Sequence, residues 1–292
     1  MTAGLTQGDT IEFGGSAAAI RHHYDVGNDF YSAWLDPTMT YSSAMWDGLP
    51  ADAPLEEAQQ RKLAYHAESV GATPGMRILD VGCGWGGMMR TLLRDHGVAE
   101  CVGLTLSEEQ HAYIEQSGIP GISATISNWN DYRPDRPFDG IISVGAFEHF
   151  AHPDQSVEER RGVYRQFFQA CRDWTNGKGR LSLQTIAYVK MSPEDANPFI
   201  SNEIFPAAEL PTIEDIVVAS HGLFRIEKLR DDGLDYAKTC EMWSNKLRAA
   251  VRSGVLDPQA HPVDKYSRYL RMSAAGFRMR KIGLLRIAFG AY

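Results

Sequence analysis

Asp80 stands two residues ahead of Gly82, with Gly84, Gly86 and Gly87 close behind it. The run Ile78-Leu79-Asp80-Val81-Gly82-Cys83-Gly84-Trp85-Gly86-Gly87 joins an apolar strand to a glycine-dense turn, and Met88 to Leu93 reads as the helix that follows. Glycines at such a turn let a backbone approach a ligand closely. Gly82, Gly84 and Gly87 also fit G-x-G-x-x-G, the dinucleotide spacing. Asp80 tilts the balance, because a carboxylate beside the turn repels a pyrophosphate and attracts an ammonium. S-adenosylmethionine carries an ammonium, a sulfonium and no phosphate. A methyl-donor site is the favoured reading of this stretch. A nucleotide site and a ligand-free glycine turn are the alternatives.

Other residues able to do chemistry come just after predicted strands. Thr105 and Gln110 follow Cys101 to Leu104, and Asn128 and Trp129 follow Ile122 to Ile126. Glu148 and His149 follow Phe138 to Val144, and Gln184 lies on a strand from Arg180 to Ile186. In an open α/β sheet, ligands bind outside the carboxyl ends of the strands, where all of these residues fall. Ser107 and Gln110 also have capping-box spacing, which gives Gln110 a purely structural reading.

The elements that must position them alternate. Strand one is Arg77 to Val81, and later strands run from Phe224 to Leu229 and from Ile282 to Phe289. Helical periodicity covers Leu55 to Val70, Val157 to Trp174 (Val163, Phe167 and Phe168 inward), Tyr236 to Val251 and Lys265 to Ala275. Such alternation predicts an α/β fold, a mostly parallel sheet with helices on both faces. Residues 1–16 read as a flexible arm and 17–292 as one domain. Within it, 17–54 form an N-terminal lid, and 187–221, punctuated by Pro193, Pro198, Pro206 and Pro211, and 240–275 form a cap. The aromatic loop Thr40 to Trp46 either closes over a ligand or is packed there without chemistry.

The 292 residues carry a net charge of −8, which disfavours nucleic acid. Four scattered cysteines without a C-x-x-C pair suit a reducing cytoplasm. His22 and His23 lack a third ligand at a metal-site spacing, so no metal is expected. No apolar run is long enough for a transmembrane segment. From Lys265 to Tyr292 there are seven basic residues and no acidic one. They read as a solvated helix and edge strand, or as a patch for an anionic group on the acceptor.

Several motifs together resemble the cyclopropane fatty acid synthase and mycolic acid methyltransferase family. They are His23-Tyr24-Asp25-Val26-Gly27-Asn28-Asp29-Phe30, Thr40-Tyr41-Ser42, Leu79 to Gly87, Gly103 to Gln110 and Ser143 to His149. Glu203-Ile204-Phe205-Pro206, Asp235 to Thr239 and Gly276-Phe277-Arg278 extend the likeness over nearly the whole chain from about residue 20. The resemblance implies a Rossmann-like class I methyltransferase with a seven-stranded sheet and a helical cap over the acceptor pocket. It implies that Tyr41 and Ser42 touch the methionine end of S-adenosylmethionine, and that Gly82 to Gly84 touch its amino acid and ribose. Thr105, Leu106 and Gln110 would hold the ribose and adenine, and Asn128 and Trp129 would flank the adenine.

The same resemblance implies an alkene that attacks the sulfonium methyl and leaves a carbocation. Aromatic faces stabilise such a cation, and Tyr24, Trp46, Phe147 and Tyr236 are the candidates. A bound bicarbonate, held by a glutamate, a histidine, a tyrosine and backbone groups, would take the proton. Glu148, Tyr236 and Ile186 match that set. Gln184 stands where the histidine belongs and Ser43 replaces a cysteine, so bicarbonate is in doubt. The long N-terminal extension of the membrane-active bacterial synthases is also missing.

The main expectation is C-methylation of an alkene in a lipid or isoprenoid-like acceptor, giving a methyl branch or a cyclopropane. The alternative is N- or C-methylation of a small natural product, with Glu148 or His149 accepting an ammonium proton. A non-catalytic module that kept the fold is the third. The partner expected is a small-molecule or lipid-like acceptor, with peripheral membrane contact and a homo-oligomer left open.

Overall fold

A computed structural model describes residues 26–195, 198–204 and 208–292. The expected N-terminal arm, His22, His23, Tyr24, Phe205 and Pro206 lie outside the described residues. The described residues open with a short helix α1 (Asn28–Ser32), then α2 (Leu55–Ser69). The alternating unit follows as β1 (Arg77–Val81), α3 (Gly87–His96), β2 (Glu100–Thr105), α4 (Glu108–Ser117), β3 (Ile122–Ile126) and β4 (Gly140–Val144). Next come α5 (Val157–Trp174), β5 (Arg180–Tyr188), α6 (Ile213–Ser220), β6 (Arg225–Asp231), α7 (Gly233–Arg252), α8 (Val263–Arg278) and β7 (Ile282–Gly290).

The seven strands are ordered β3-β2-β1-β4-β5-β7-β6. The first five are parallel, and β7 runs antiparallel to both β5 and β6. Every residue of β1 is buried, as an apolar run covered on both faces requires. Against one face, Val163, Phe167 and Phe168 of α5 pack fully buried with Phe147 and Phe289. Leu63 and Ala67 of α2 and Met88, Met89 and Leu92 of α3 cover the other. A third apolar cluster joins Phe30, Tyr31, Trp34 and Trp85 to Trp243 of α7 and Tyr266 of α8. The hydroxyls of Tyr31 and Tyr266 lie 2.7 Å apart and tie the N-terminal segment to the cap helices.

Two expectations need correction. The last strand is not an edge strand, because the chain inserts β7 between β5 and β6. Its Arg286, counted in the basic patch, is 0% exposed. The excursion expected over 187–221 contains helix α6, whose start is a full capping box between Thr212 and Asp215. That spacing is a helix-start signal which the surrounding prolines mask.

Arg286 binds three separate parts of the chain. Nε donates to Gln184 Oε1 at 2.8 Å, and Nη1 donates to Asp232 Oδ2 at 2.5 Å. Nη2 donates to the carbonyls of Ala44 at 2.8 Å and Ser43 at 3.3 Å. Removing one member of a buried charged network strands the others, at a cost of about 3–5 kcal/mol. Arg286→Met is expected to lower unfolding stability by about that amount in chemical denaturation. Arg278→Met, which breaks the exposed pair with Glu241, is expected to change it by less than about 1 kcal/mol.

Candidate active site

Two cavities meet at the carboxyl ends of β1, β2, β4 and β5. The first, of about 150 Å³, is lined by Asp80, Gly82 and Gly84 of the glycine turn, Thr105, Leu106 and Gln110 after β2, and Asn128 and Trp129 after β3. The second, of about 410 Å³, is lined by Glu148, Gln184 and Ile186, by Tyr236 of α7, and by Tyr269, Met272 and Phe277 of α8. Tyr41, Ser42, Gly145 and His149 line both. The residues expected to bind donor and those expected to meet acceptor thus fall into adjacent chambers with a shared wall.

Local sequence explains the first chamber. Gly82 has φ 83, and a Cβ there would sit 2.5 Å from the Cβ of Ala146. Only glycine lets the turn pass so close to the segment after β4. Ser107 caps α4 by accepting from the Gln110 backbone N–H, but the expected capping box is only half formed. The Gln110 side chain turns to Thr105 instead, and Thr105 Oγ1 donates to Gln110 Oε1 at 2.8 Å. With its oxygen so engaged, the Gln110 amide nitrogen is the end left to face a ligand. Trp129 is held against Phe150 and Phe167, so its ring forms a fixed wall.

Asp80 is 3% exposed, and burial raises its carboxyl to about 7, offset only in part by the charge of Lys62. A carboxylate held so dry benefits from an arriving cation. Gly145, at φ 71, has nothing within 4 Å of where a Cβ would be, so at this point the shared wall is bare backbone. These features fit a ligand with an ammonium at one end and an aromatic base at the other.

In the second chamber, Glu148 Oε1 accepts from the Ile186 backbone N–H at 2.6 Å. Its other oxygen, Oε2, is buried without a hydrogen-bond partner among the described residues. Burial pushes this carboxyl up to about 7, against the lowering effect of the Ile186 N–H. Burial pushes His149 down to about 4, so its imidazole is neutral near neutral pH. The Tyr236 ring stacks on Phe277 with centroids 4.6 Å apart, which fixes its orientation.

Gln184 takes part in a network that sequence reading missed. Its Oε1 accepts from Arg286 at 2.8 Å and lies 3.3 Å from Nε2 of His66. A guanidinium can only donate, so the amide oxygen faces Arg286 and the amide nitrogen is left for the cavity. His66 Nδ1 lies 2.8 Å from Ser182 Oγ, and burial keeps the ring neutral. A histidine thus sits beside Gln184, supplied by α2 instead of β5. Lys62, one turn earlier on α2, lines the first chamber and was also missed. The legible signal was the spacing of Gln59, Lys62 and His66, which puts three polar residues on one buried helix face.

Other expected positions do not join the site. Phe147 is fully buried and stacks on Tyr164 at 4.4 Å, so it serves the core. Trp46 lies under the Lys238 ammonium at 3.7 Å and lines neither cavity. Ser43 is fully buried, donates to the Ala44 carbonyl and lines neither cavity. With the Ile186 N–H taken by Glu148, Ser43 set aside and Gln184 in place of a histidine, the residues present do not fit a bicarbonate cradle. Tyr24 lies outside the described residues.

Residues 14–287 match the family described as mycolic acid cyclopropane synthetase. The chain is 33% identical to cyclopropane mycolic acid synthase 2 of Mycobacterium tuberculosis, over 94% of this chain and 95% of that protein. It is 35% identical to the cyclopropane-fatty-acyl-phospholipid synthase of Escherichia coli, over 92% of this chain and 66% of the relative. The solved mycolic acid cyclopropane synthase CmaA1, complexed with SAH and CTAB, superimposes with a TM-score of 0.82 at 30% identity, covering 95% of this chain and 99% of that one. The Rossmann-like class I methyltransferase fold and these relatives place the chain in the mycolic acid cyclopropane synthetase family.

Proposed function

We propose that this protein transfers a methyl group from S-adenosylmethionine to an alkene carbon of a lipid or isoprenoid-like acceptor. The observation that carries the proposal is the shared wall of Tyr41, Ser42, Gly145 and His149 between the two chambers. It brings a donor chamber and a largely apolar acceptor chamber into contact with no bulky side chain at Gly145. The bound donor supplies an electrophilic methyl carbon on its sulfonium.

The residues around it bind, orient and exclude water. Asp80 faces the donor's ammonium, and Asn128, Trp129 and Gln110 hold its base and ribose. Tyr41 and Ser42 cover its reactive end. The acceptor alkene lies along Gly145, Ile186 and Leu284 in a mostly apolar chamber. An acceptor that fills this chamber displaces water, which protects a carbocation from capture and strengthens the electrostatics around it. The face of Tyr236, braced by Phe277, stabilises the positive carbon. Glu148, with one oxygen fixed by Ile186 and the other unpartnered, takes the proton that leaves. Loss of that proton from the chain gives a methyl-branched alkene, and loss from the added methyl closes a cyclopropane. Gln184 and neutral His149 offer polar contacts without a competing charge.

The relatives named above carry cyclopropane synthase names, which favours an alkene acceptor over the small-molecule N-methylation alternative. Among the described residues no helix is long and apolar enough to cross a membrane. Exposed Val189 and Met279 near the basic Lys281 suit brief contact of the cavity mouth with a lipid surface.

Labelled donor offered with unsaturated phospholipid, prenyl diphosphates or amines is expected to label an alkene-containing acceptor and not the amines. The mass and unsaturation of the product then separate branching from ring closure. Labelling confined to amines would overturn the proposal. Glu148→Gln is expected to lower kcat about 10²- to 10⁴-fold and leave donor affinity within about twofold by calorimetry.

The pH dependence follows from the same burial. The carboxylate is the competent base, so wild-type kcat is expected to fall as pH drops through about 7. Stability moves the other way. The folded carboxyl sits at about 7, above its ordinary 4.5, so its protonated form is the one folding favours. Its contribution is full below 4.5 and is lost as pH rises through about 7. Relative to wild type, Glu148→Gln is therefore expected to gain about 1–3 kcal/mol between pH 5 and pH 8, read as a difference in denaturation midpoints.

A further inference from the structure

The donor chamber carries two buried charges of opposite sign. Asp80 lines it at 3% exposure and Lys62 lines it at 1%. Lys62 reaches in from α2, an element separate from the segments after β2 and β3 that supply the aromatic and amide residues. Its ammonium donates to Ser42 Oγ at 2.9 Å, a neutral partner that occupies one of its three donors. Asp36 is the other nearby anion, but its oxygens already accept from the backbone N–H groups of Thr38 and Thr40 and from the Thr38 hydroxyl. Burying an ammonium with so little direct compensation is costly unless a further anion arrives.

We propose that Lys62 is a donor-binding residue whose ammonium takes the α-carboxylate of the donor's amino-acid end, while Asp80 takes its α-ammonium. The assignment rests on the donor reading of this chamber given above. A buried cation beside a buried anion is the complement of an α-amino-acid zwitterion, with each charge meeting its opposite. Neither the adenine nor the ribose has such a charge pair to offer. Burial lowers Lys62 to about 7, and a carboxylate beside it would restore its charged state. Lys62 also touches Ser42, which lines both chambers, so the contact links the amino-acid end to the loop that borders the second chamber.

The competing account is architectural: Lys62 locks Ser42 in place and offsets Asp80, with no ligand contact. Isothermal titration with three probes separates the two. S-adenosylmethionine has both amino-acid charges, its decarboxylated form keeps the ammonium alone, and 5′-methylthioadenosine has neither. Wild type is expected to bind S-adenosylmethionine about 10- to 100-fold more tightly than the decarboxylated form. Lys62→Met is expected to erase that preference and to leave methylthioadenosine affinity within about twofold of wild type. Lys62→Arg is expected to restore part of it, and Asp80→Asn to weaken both ammonium-bearing ligands while sparing methylthioadenosine. Equal weakening of all three probes by Lys62→Met would make Lys62 architectural and overturn the proposal. Wild-type protein that binds none of the three would overturn the donor reading itself.

Discussion

The loop from Thr40 to Trp46 is buried and irregular, and a buried backbone must find hydrogen-bond partners outside helix or sheet. Here side chains provide them. Gln59 of α2 donates to the carbonyls of Thr40 and Ser42, and Arg286 of β7 donates to those of Ser43 and Ala44. Thr239 accepts from the Ala44 N–H, and Asp235 accepts from the Trp46 N–H. The loop is therefore suspended between three elements that are far apart in sequence. Its position over both chambers depends on α2, α7 and β7 being in place together.

That arrangement explains why so many charged and polar groups are buried around the site. Arg286, Lys62, His66 and Gln59 lie on the inner sides of the elements that hold the loop, where apolar residues would normally pack. Burial shifts several groups of the site toward neutrality. Asp80 and Glu148 rise to about 7 while Lys62 falls to about 7. A site tuned in this way carries little net charge before its ligands arrive, which suits a reaction that creates a cation in an apolar chamber.

Much of the fold was legible because strand and helix periodicities are local. β1, β3 and α5 match their expected bounds, and the glycine turn, Thr105, Gln110, Asn128 and Trp129, singled out by their places after strands, line one cavity together. What escaped was set by long-range pairing. The order of β6 and β7 depends on which edge the last strand joins, and nothing local in Ile282 to Gly290 says so. Arg286 looked like part of a surface patch for the same reason. Lys62 and His66 were hidden within a helix judged by its apolar positions, although their spacing with Gln59 marks a polar stripe. Phe147 and Trp46 were misplaced because an aromatic residue beside a site motif packs inward as readily as toward a ligand.

The second chamber is made of two unlike materials. Part of its lining is Gly145, Glu148 and Gln184, tied to the sheet, and part is Met191, Met272 and Met279. Methionine is unbranched and flexible, so that part of the lining reshapes at small energetic cost. On the proposed assignment of this chamber to the acceptor, substitutions at these methionines would change which acceptor shape is admitted while leaving the sheet-bound groups in place. Shape preference and chemistry would then rest on different parts of one lining, two properties that a rigid aromatic lining would have locked together.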